Sequence, residues 1–198
     1  MSNFWDQRYA VDEYVYGTEP SIYFKQVINN LKSGKLLVPG AGEGRDAVYA
    51  ASLGWEVHAF DQSSEGQRKA LMLAEKNNVN IKYETLNAAD FTCTGQKYDL
   101  IAIVFMHFES NLRICFHNEL VKCLTPGGLI LIEAFHKNQI ANNSGGPKNS
   151  DMLVTGEILA TDFNKLSILE NKEIQINFTK GTHHSGLAEV VRFLGMKT

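Results

Sequence analysis

Short apolar runs alternate with helical patterns along the chain from Lys35 onward. This alternation is typical of a parallel β-sheet whose strands are joined by helices. The expected strands are Lys35–Pro39, Glu56–Asp61, a segment in which Ile81, Tyr83 and Thr85 alternate, Tyr98–Val104, and residues 129–132. The run Tyr98–Val104 is almost continuously apolar, which indicates a central strand buried on both faces.

The pattern changes near the end of the chain. Ile174, Ile176 and Phe178 alternate as one further strand, residues 187–194 form another, and the glycine-containing turn between them predicts an antiparallel pair. We therefore expect an α/β fold in which five parallel-type strands are finished by an antiparallel pair, with helices on both faces. Dinucleotide dehydrogenases instead have a symmetric sheet built from two halves.

Three helices are expected between these strands. The first, residues 45–53, is rich in alanine and stops at Gly54. The second opens with a capping box at Ser64 and Gln67. The third carries an apolar stripe and is expected to end at the Pro-Gly-Gly sequence 126–128; the stripe consists of Leu112, Phe116, Leu120 and Leu124.

Length and composition fit one domain over residues 1–198, with 1–34 as a helical N-terminal arm or lid and 35–198 as the core. A formal net charge of −3 argues against nucleic-acid binding. The chain lacks the long apolar run of a membrane span and begins unlike a secretory signal. Three cysteines without a C-x-x-C pair predict buried, reduced thiols in a cytoplasmic protein.

The turn after the first strand contains Gly40, Gly42 and Gly44 and opens directly into a helix. Glycine permits a tight turn and a close approach of the backbone to a ligand, and the helix N-terminus adds free N–H groups. Asp61 ends the second strand, where its carboxylate is expected to accept hydrogen bonds from the two ribose hydroxyls of an adenosine. Together these features predict a nucleoside cofactor.

The spacing of the glycines bears on which cofactor binds. The dinucleotide fingerprint is G-x-G-x-x-G, whereas here the third glycine comes one position early, and no P-loop lysine follows. Glu43 lies inside the turn and would be unfavourable beside a pyrophosphate. S-adenosylmethionine (SAM) has no phosphate and carries a cationic sulfonium, so the turn favours SAM.

Several segments resemble class I SAM-dependent methyltransferases. Residues 36–46 resemble their motif I, and Asp61 matches their ribose-binding acid. Residues 87–91 are similar to the segment that receives adenine, with Asp90 bonding its amine. Residues 124–132 are similar to the Pro-Gly-Gly turn before the fifth strand. The resemblance implies a Rossmann-like seven-stranded methyltransferase sheet and SAM as cofactor.

The resemblance is closer to the branch with tellurite-resistance and thiopurine-type methyltransferases. Residues 4–9 and 13–20 look like the N-terminal arm of that branch, and 105–108, 145–147 and 181–186 also fit it. Tellurite-resistance proteins often carry arginine where this chain has Ser185, so the acceptor stays open. The resemblance implies methyl transfer by in-line displacement to a small molecule, with a thiol and a chalcogen oxyanion as the candidate acceptors.

The candidate site residues follow from these motifs. His184 in the late turn and His107 after the fourth strand are the candidate bases, because histidine titrates near neutral pH. Trp5 and Tyr16 are expected to close a lid over the ligands. The residues expected to contact the cofactor are Gly40, Ala41, Gly42, Gly44, Arg45, Asp61, Gln62, Ala89, Asp90, Phe91 and Phe105.

Two other functions are compatible with the sequence: a SAM-binding sensor without catalysis, and an NAD-type oxidoreductase. The oxidoreductase predicts a symmetric six-stranded sheet. No metal is expected, because the adjacent His183 and His184 would point to opposite faces of a strand. His58 and His117 are expected to have structural roles or to lie on the surface.

Overall fold

The computed structural model describes residues 4–178 and 186–198. Seven strands form one sheet in the order β3-β2-β1-β4-β5-β7-β6. The first five are parallel to one another, and β7 runs antiparallel to both β5 and β6. The strands are β1 Lys35–Pro39, β2 Glu56–Asp61, β3 Lys82–Thr85, β4 Tyr98–Val104, β5 Leu124–Phe135, β6 Leu166–Phe178 and β7 Gly186–Lys197. The expected α/β fold with a terminal antiparallel pair is confirmed.

Helices cover both faces of this sheet. They are α1 Phe4–Tyr9, α2 Ile22–Ile28, α3 Arg45–Ser52, α4 Ser64–Lys76, α5 Ser110–Cys123 and α6 Gly156–Asp162, with short 3-10 helices at Ala88–Asp90, Lys137–Ala141 and Ser150–Met152. Successive strand residues point to opposite faces. Leu100 and Ala102 of β4 therefore pack in the layer that contains α2 and α3, whereas Ile101 and Ile103 pack in the layer that contains α5 and α6.

Two local features differ from the sequence-based expectation. Ser63, not Ser64, caps α4, because its Oγ accepts a hydrogen bond from Gly66 N at 3.0 Å. The Pro-Gly-Gly sequence lies inside β5 rather than between a helix and a strand. The pairing with β4 is irregular there: Tyr98 faces Leu124 and Leu100 faces Leu129. The extra residues form a bulge, and β5 is longer than expected at both ends.

The expectation of three buried, unpaired thiols is wrong. Cys93 in the loop before β4 forms a disulfide with Cys123 at the end of α5, with their Cα atoms 5.6 Å apart. Cys115 is free and exposed. The two bonded cysteines are far apart in sequence, so their pairing depends on how the loop passes the end of α5. No short spacing motif reveals it.

The N-terminal segment, residues 4–34, is called the arm. It contains α1 and α2, and the stretch between them contacts the turn after β1. Ser21 marks the start of α2: its N–H donates to Asp46 Oδ1 at 2.7 Å, and its Oγ donates to Glu133 Oε2 at 2.5 Å. These bonds attach the arm to α3 and to the end of β5. In residues 4–178 and 186–198, no helix is both long and apolar enough to cross a membrane.

Candidate active site

The turn at residues 40–44, called the glycine turn, joins β1 to α3. Gly40, Gly42 and Gly44 have φ values of +60°, +52° and +86°, a region that residues with a Cβ rarely adopt. Two side chains fix the backbone of Gly42: its N–H donates to Asp61 Oδ2 at 3.0 Å, and its carbonyl accepts from Tyr83 Oη at 2.7 Å. The glycine turn is therefore held in one conformation by β2 and β3.

Asp61 lies beside the glycine turn at the end of β2, and it is buried. Its second oxygen, Oδ1, accepts from Ser63 N at 2.9 Å. Burial raises the pKa of Asp61, while the N–H groups of Ser63, Gly42 and Gln62 act in the opposite direction. Each carboxylate oxygen has more than one acceptor position. The carboxylate is thus oriented by backbone groups and keeps acceptor capacity for a ligand with two hydroxyls.

The segment after β3 lies close to Asp61, because Leu86 N donates to the Asp61 carbonyl at 2.8 Å. Asn87 caps the 3-10 helix Ala88–Asp90. Ala89 and Asp90 are exposed, as expected for residues that meet a cofactor, although that contact stays a prediction. Phe91 has a different position: its ring packs in the core against Phe60, with centroids 5.1 Å apart. Phe91 thus supports this segment from beneath.

The arm brings aromatic side chains to the glycine turn. Trp5 stacks on Tyr9, with ring centroids 5.6 Å apart, and Tyr9 meets Tyr16 edge to face at 6.4 Å. A Cβ on Gly42 would lie 2.7 Å from Tyr9 Oη, so the phenol rests directly against the turn. Burial and then the negative charge of Asp61 raise the pKa of Tyr9. Tyr9 is a further candidate site residue, which the sequence analysis did not single out.

Arg45 makes a contact that the sequence did not indicate, and its expected contact with the cofactor stays a prediction. Its Nη1 donates to the Tyr16 carbonyl at 3.0 Å, so the guanidinium holds the arm. Tyr16 is also held through its Oη, which accepts from Arg8 Nη1 at 3.1 Å, and through its N–H, which donates to Glu43 Oε2 at 3.3 Å. Glu43 was expected only to be tolerated near a cationic ligand. In the structure it also binds the arm.

The residues after β4 approach the glycine turn from the other side. Phe105 has a φ of +52°, and its N–H donates to the Glu133 carbonyl at 2.7 Å. Its ring packs against Phe135 and Phe178, with centroids 4.9 and 5.6 Å away, rather than against Phe91 and the adenine segment. The following residue, Met106, lies over Gly40 instead: a Cβ there would be 2.6 Å from its Sδ.

His107 lines a small cavity near the ends of β4 and β5. Its neighbours in the lining include Ile132, Met152 and Leu159. The Nε2 atom is buried and has no hydrogen-bond partner among residues 4–178 and 186–198. Burial lowers the pKa of His107 to about 4, and a hydrogen bond with the Met152 backbone opposes this only in part. At neutral pH the imidazole is therefore uncharged.

The other histidines have varied positions. His117 Nδ1 bonds Asp162 at 2.8 Å, and His58 Nδ1 bonds Tyr98 Oη at 2.6 Å, so both are structural. His183 and His184 lie outside the described residues, so a catalytic role of His184 stays a prediction. The described part of the chain contains no group of three or more histidine, cysteine or acidic side chains arranged to hold a metal ion.

Comparisons with known sequences agree with this geometry. Residues 37–128 match a family model described as a methyltransferase domain. The chain is 30% identical over 165 residues to a probable thiol methyltransferase 2 of Arabidopsis thaliana, covering 79% of this chain and 70% of that protein. It is 29% identical over 175 residues to thiocyanate methyltransferase 1 of Brassica oleracea, covering 84% and 71%.

Solved structures show the same fold. A protein from work on the conversion of a disulfide bond into a thioacetal group during echinomycin biosynthesis matches 100% of this chain and 91% of its own, with TM-score 0.82 and 17% identity. TehB from Haemophilus influenzae matches 100% and 67%, with TM-score 0.75 and 18% identity. N-methyltransferase NodS from Bradyrhizobium japonicum, solved with S-adenosyl-L-homocysteine, matches 98% and 96%, with TM-score 0.73 and 13% identity.

The sheet order and its antiparallel end differ from the symmetric dehydrogenase sheet, which removes the basis for the oxidoreductase alternative. The sequence relatives are methyltransferases over most of both chains. This chain therefore belongs to the class I SAM-dependent methyltransferases and is an enzyme of that family.

Proposed function

We propose that the chain binds SAM between the glycine turn and the arm and methylates a small thiol-type acceptor. The observation that carries this proposal is the position of Asp61, which is oriented by Gly42 and Ser63 and keeps free acceptor positions beside the turn. A ribose with two neighbouring hydroxyls is a suitable donor for such a carboxylate. Gly40 and Gly42 lack a Cβ, which gives Met106 and Tyr9 room to pack against the turn beside the ligand.

The residues of this chain fit SAM in three respects. Asp61 supplies the acceptor for the ribose, the exposed residues Ala89 and Asp90 are available to the adenine, and Tyr9 and Met106 supply apolar surface beside the turn. When bound, SAM would supply a methyl group from its sulfonium sulfur, and that sulfur would leave as a neutral thioether. The protein then has to align the acceptor and exclude water, because orientation contributes much of the rate acceleration in such displacements.

The side chains around His107 suit a small, soft acceptor, and the cavity of about 10 Å³ that they line has to widen to admit one. The cavity lining is largely apolar and includes Met106 and Met152. A neutral imidazole with an unpartnered nitrogen is suited to accept a hydrogen bond from a thiol S–H, whereas a pKa of about 4 makes it a weak base. An ordinary thiol has a pKa of about 8.5 and supplies some thiolate at neutral pH without help. The names of the two plant relatives point to the same class of acceptor.

Methyl transfer from labelled SAM tests this function. The acceptor panel contains hydrosulfide, thiocyanate, a small aryl thiol, tellurite, a catechol and a primary amine, and the product is identified by mass spectrometry. We expect turnover with the sulfur nucleophiles and none with the catechol or the amine. Replacing His107 by Leu should reduce turnover of the protonated thiols more than that of thiocyanate. Preferred turnover of the catechol or the amine would contradict the proposal.

A further inference from the structure

A buried ion pair links helix α4 to the glycine turn. Lys69 of α4 and Glu43 of the turn approach to 2.6 Å between Nζ and Oε1, and their side chains are only 4% and 3% exposed. Burying two charges costs free energy that their attraction only partly returns, so a buried pair is weak evidence for stability alone. Glu43 lies in the turn that is proposed to bind the cofactor, and this position indicates a role of the pair beyond stability.

Lys69 directs its remaining donors to the arm. Its Nζ donates to the carbonyls of Val11 at 2.8 Å and Glu13 at 2.5 Å, while its contact with Glu43 is an ion pair. The ammonium also lies 5.0 Å from the ring centroid of Tyr14, and Tyr14 Oη donates to the Lys69 carbonyl at 3.0 Å. One side chain therefore binds the stretch 11–14, which is neither helix nor strand.

Glu43 completes the link. Its Oε2 accepts from Tyr16 N, while Arg45, two residues further along the chain, binds the Tyr16 carbonyl. Val11 to Tyr16 follow directly after Tyr9, the residue whose phenol rests on Gly42. Glu43 and Arg45, which bind Tyr16 of the arm, thus lie in or directly beside the turn that would contact the cofactor.

We propose that Lys69 and Glu43, together called the clamp, are positioning residues that hold Tyr9 and Tyr16 over the glycine turn and thereby set the affinity for the cofactor. The proposal rests on the proposed function, because it takes the glycine turn as the SAM site. The clamp touches neither the acceptor cavity nor His107. Losing it should therefore weaken cofactor binding and leave the rate at saturating cofactor nearly unchanged.

The test compares Lys69→Met, Lys69→Arg and Glu43→Gln with the control Arg68→Met. Arg68 is the exposed neighbour on α4, and it donates hydrogen bonds to Glu65 and Met72 of its own helix. We expect Lys69→Met to raise the Kd and KM for SAM about tenfold or more. Its kcat should change less than about threefold, since the binding lost is shared by the ground state and the transition state. Lys69→Arg should recover most of the affinity, and Arg68→Met should behave as wild type.

Hydrogen exchange in the cofactor-free protein provides a second measurement. Lys69→Met and Glu43→Gln should speed exchange at residues 10–16 while the amides of β1 and β4 keep their protection. Glu43→Gln keeps the shape of the side chain and carries the test if Lys69→Met does not fold. Unchanged Kd and unchanged arm exchange in a folded variant would overturn the clamp. If wild type failed to bind SAM, the proposed function would be lost, and the exchange data would still decide whether the clamp holds the arm.

Discussion

Gly42 N donates a hydrogen bond to Asp61 Oδ2 at 3.0 Å, which joins the turn after β1 to the end of β2. The bond orients the carboxylate and the turn with respect to each other before any ligand arrives. Tyr83 from β3 fixes the carbonyl of the same residue. Three neighbouring strands thus cooperate to hold the backbone of one residue, and the candidate cofactor site is preorganised at the carboxyl ends of the parallel strands.

The first prediction concerns Gly44, where φ is +86° and an added Cβ would lie 2.5 Å from the Ala70 Cβ. Gly44→Ala should lower the free energy of unfolding by about 3 kcal/mol or more, because left-handed backbone strain of about 1–2 kcal/mol adds to a clash with α4. Gly17 is the matched control: φ is +73°, but nothing lies within 4 Å of an added Cβ. Urea unfolding that gave equal losses for both variants would show that α4 does not restrict the turn.

The second prediction concerns the pH dependence of stability. The pKa of His107 falls from 6.5 to about 4 in the folded protein, so folding favours the neutral ring. This contribution is present above pH 6.5 and is lost as pH falls towards 4, with a maximum of about 3 kcal/mol. Between pH 7 and pH 4, wild type should lose more unfolding free energy than His107→Leu by up to that amount. Parallel losses in urea titrations of the two proteins would mean that His107 titrates normally.

The third prediction concerns Asp162, which is buried and pairs with Arg113 Nε and His117 Nδ1, both at 2.8 Å. Asp162→Asn keeps the shape but leaves the Arg113 charge without its partner, so we expect a loss of about 3–5 kcal/mol in unfolding free energy. The exposed pair of Glu65 and Arg68 is the control, and Glu65→Gln should cost about 0–1 kcal/mol. Chemical denaturation distinguishes the two. A loss for Asp162→Asn as small as the control's would contradict the assigned role.

The fourth prediction concerns the cysteines. Thiol titration of the non-reduced, denatured protein should detect one free thiol, that of Cys115, because Cys93 and Cys123 are bonded. Cys93→Ser should give two thiols, since Cys123 loses its partner. Detection of three thiols in wild type would refute the disulfide and restore the sequence-based expectation.

Much of the fold was predictable because its signals are local. The apolar runs that became β1, β2 and β4 end at glycine, aspartate or a change in spacing, and their bounds agree with the sequence-based prediction. Asp61 was also predictable, since a carboxylate at the end of the second strand lies beside the glycine turn in any parallel sheet. Lys69 gave only a weak signal in the sequence, which is a charged residue on the helix face that also carries the apolar Ala70 and Leu73.

The remaining site features depend on contacts between distant segments. The positive φ of Phe105 turns its ring towards Phe135 and brings Met106 over Gly40, and nothing in the local pattern after β4 indicates this change of direction. The clamp joins residues of the arm, the turn and α4. Sequence spacing cannot show such a link, because it arises only when the three segments meet.

Calorimetric titration with SAM tests the central claim most directly. Wild type should bind SAM and its demethylated product but not NAD. Asp61→Ala, folded by circular dichroism, should bind SAM about 10- to 100-fold more weakly, because charge-assisted hydrogen bonds contribute about 1.5–3 kcal/mol each. Glu157→Ala, an exposed carboxylate on α6, serves as the matched control and should leave the affinity unchanged. Equal SAM affinity in wild type and folded Asp61→Ala, or binding of NAD instead of SAM, would contradict the account.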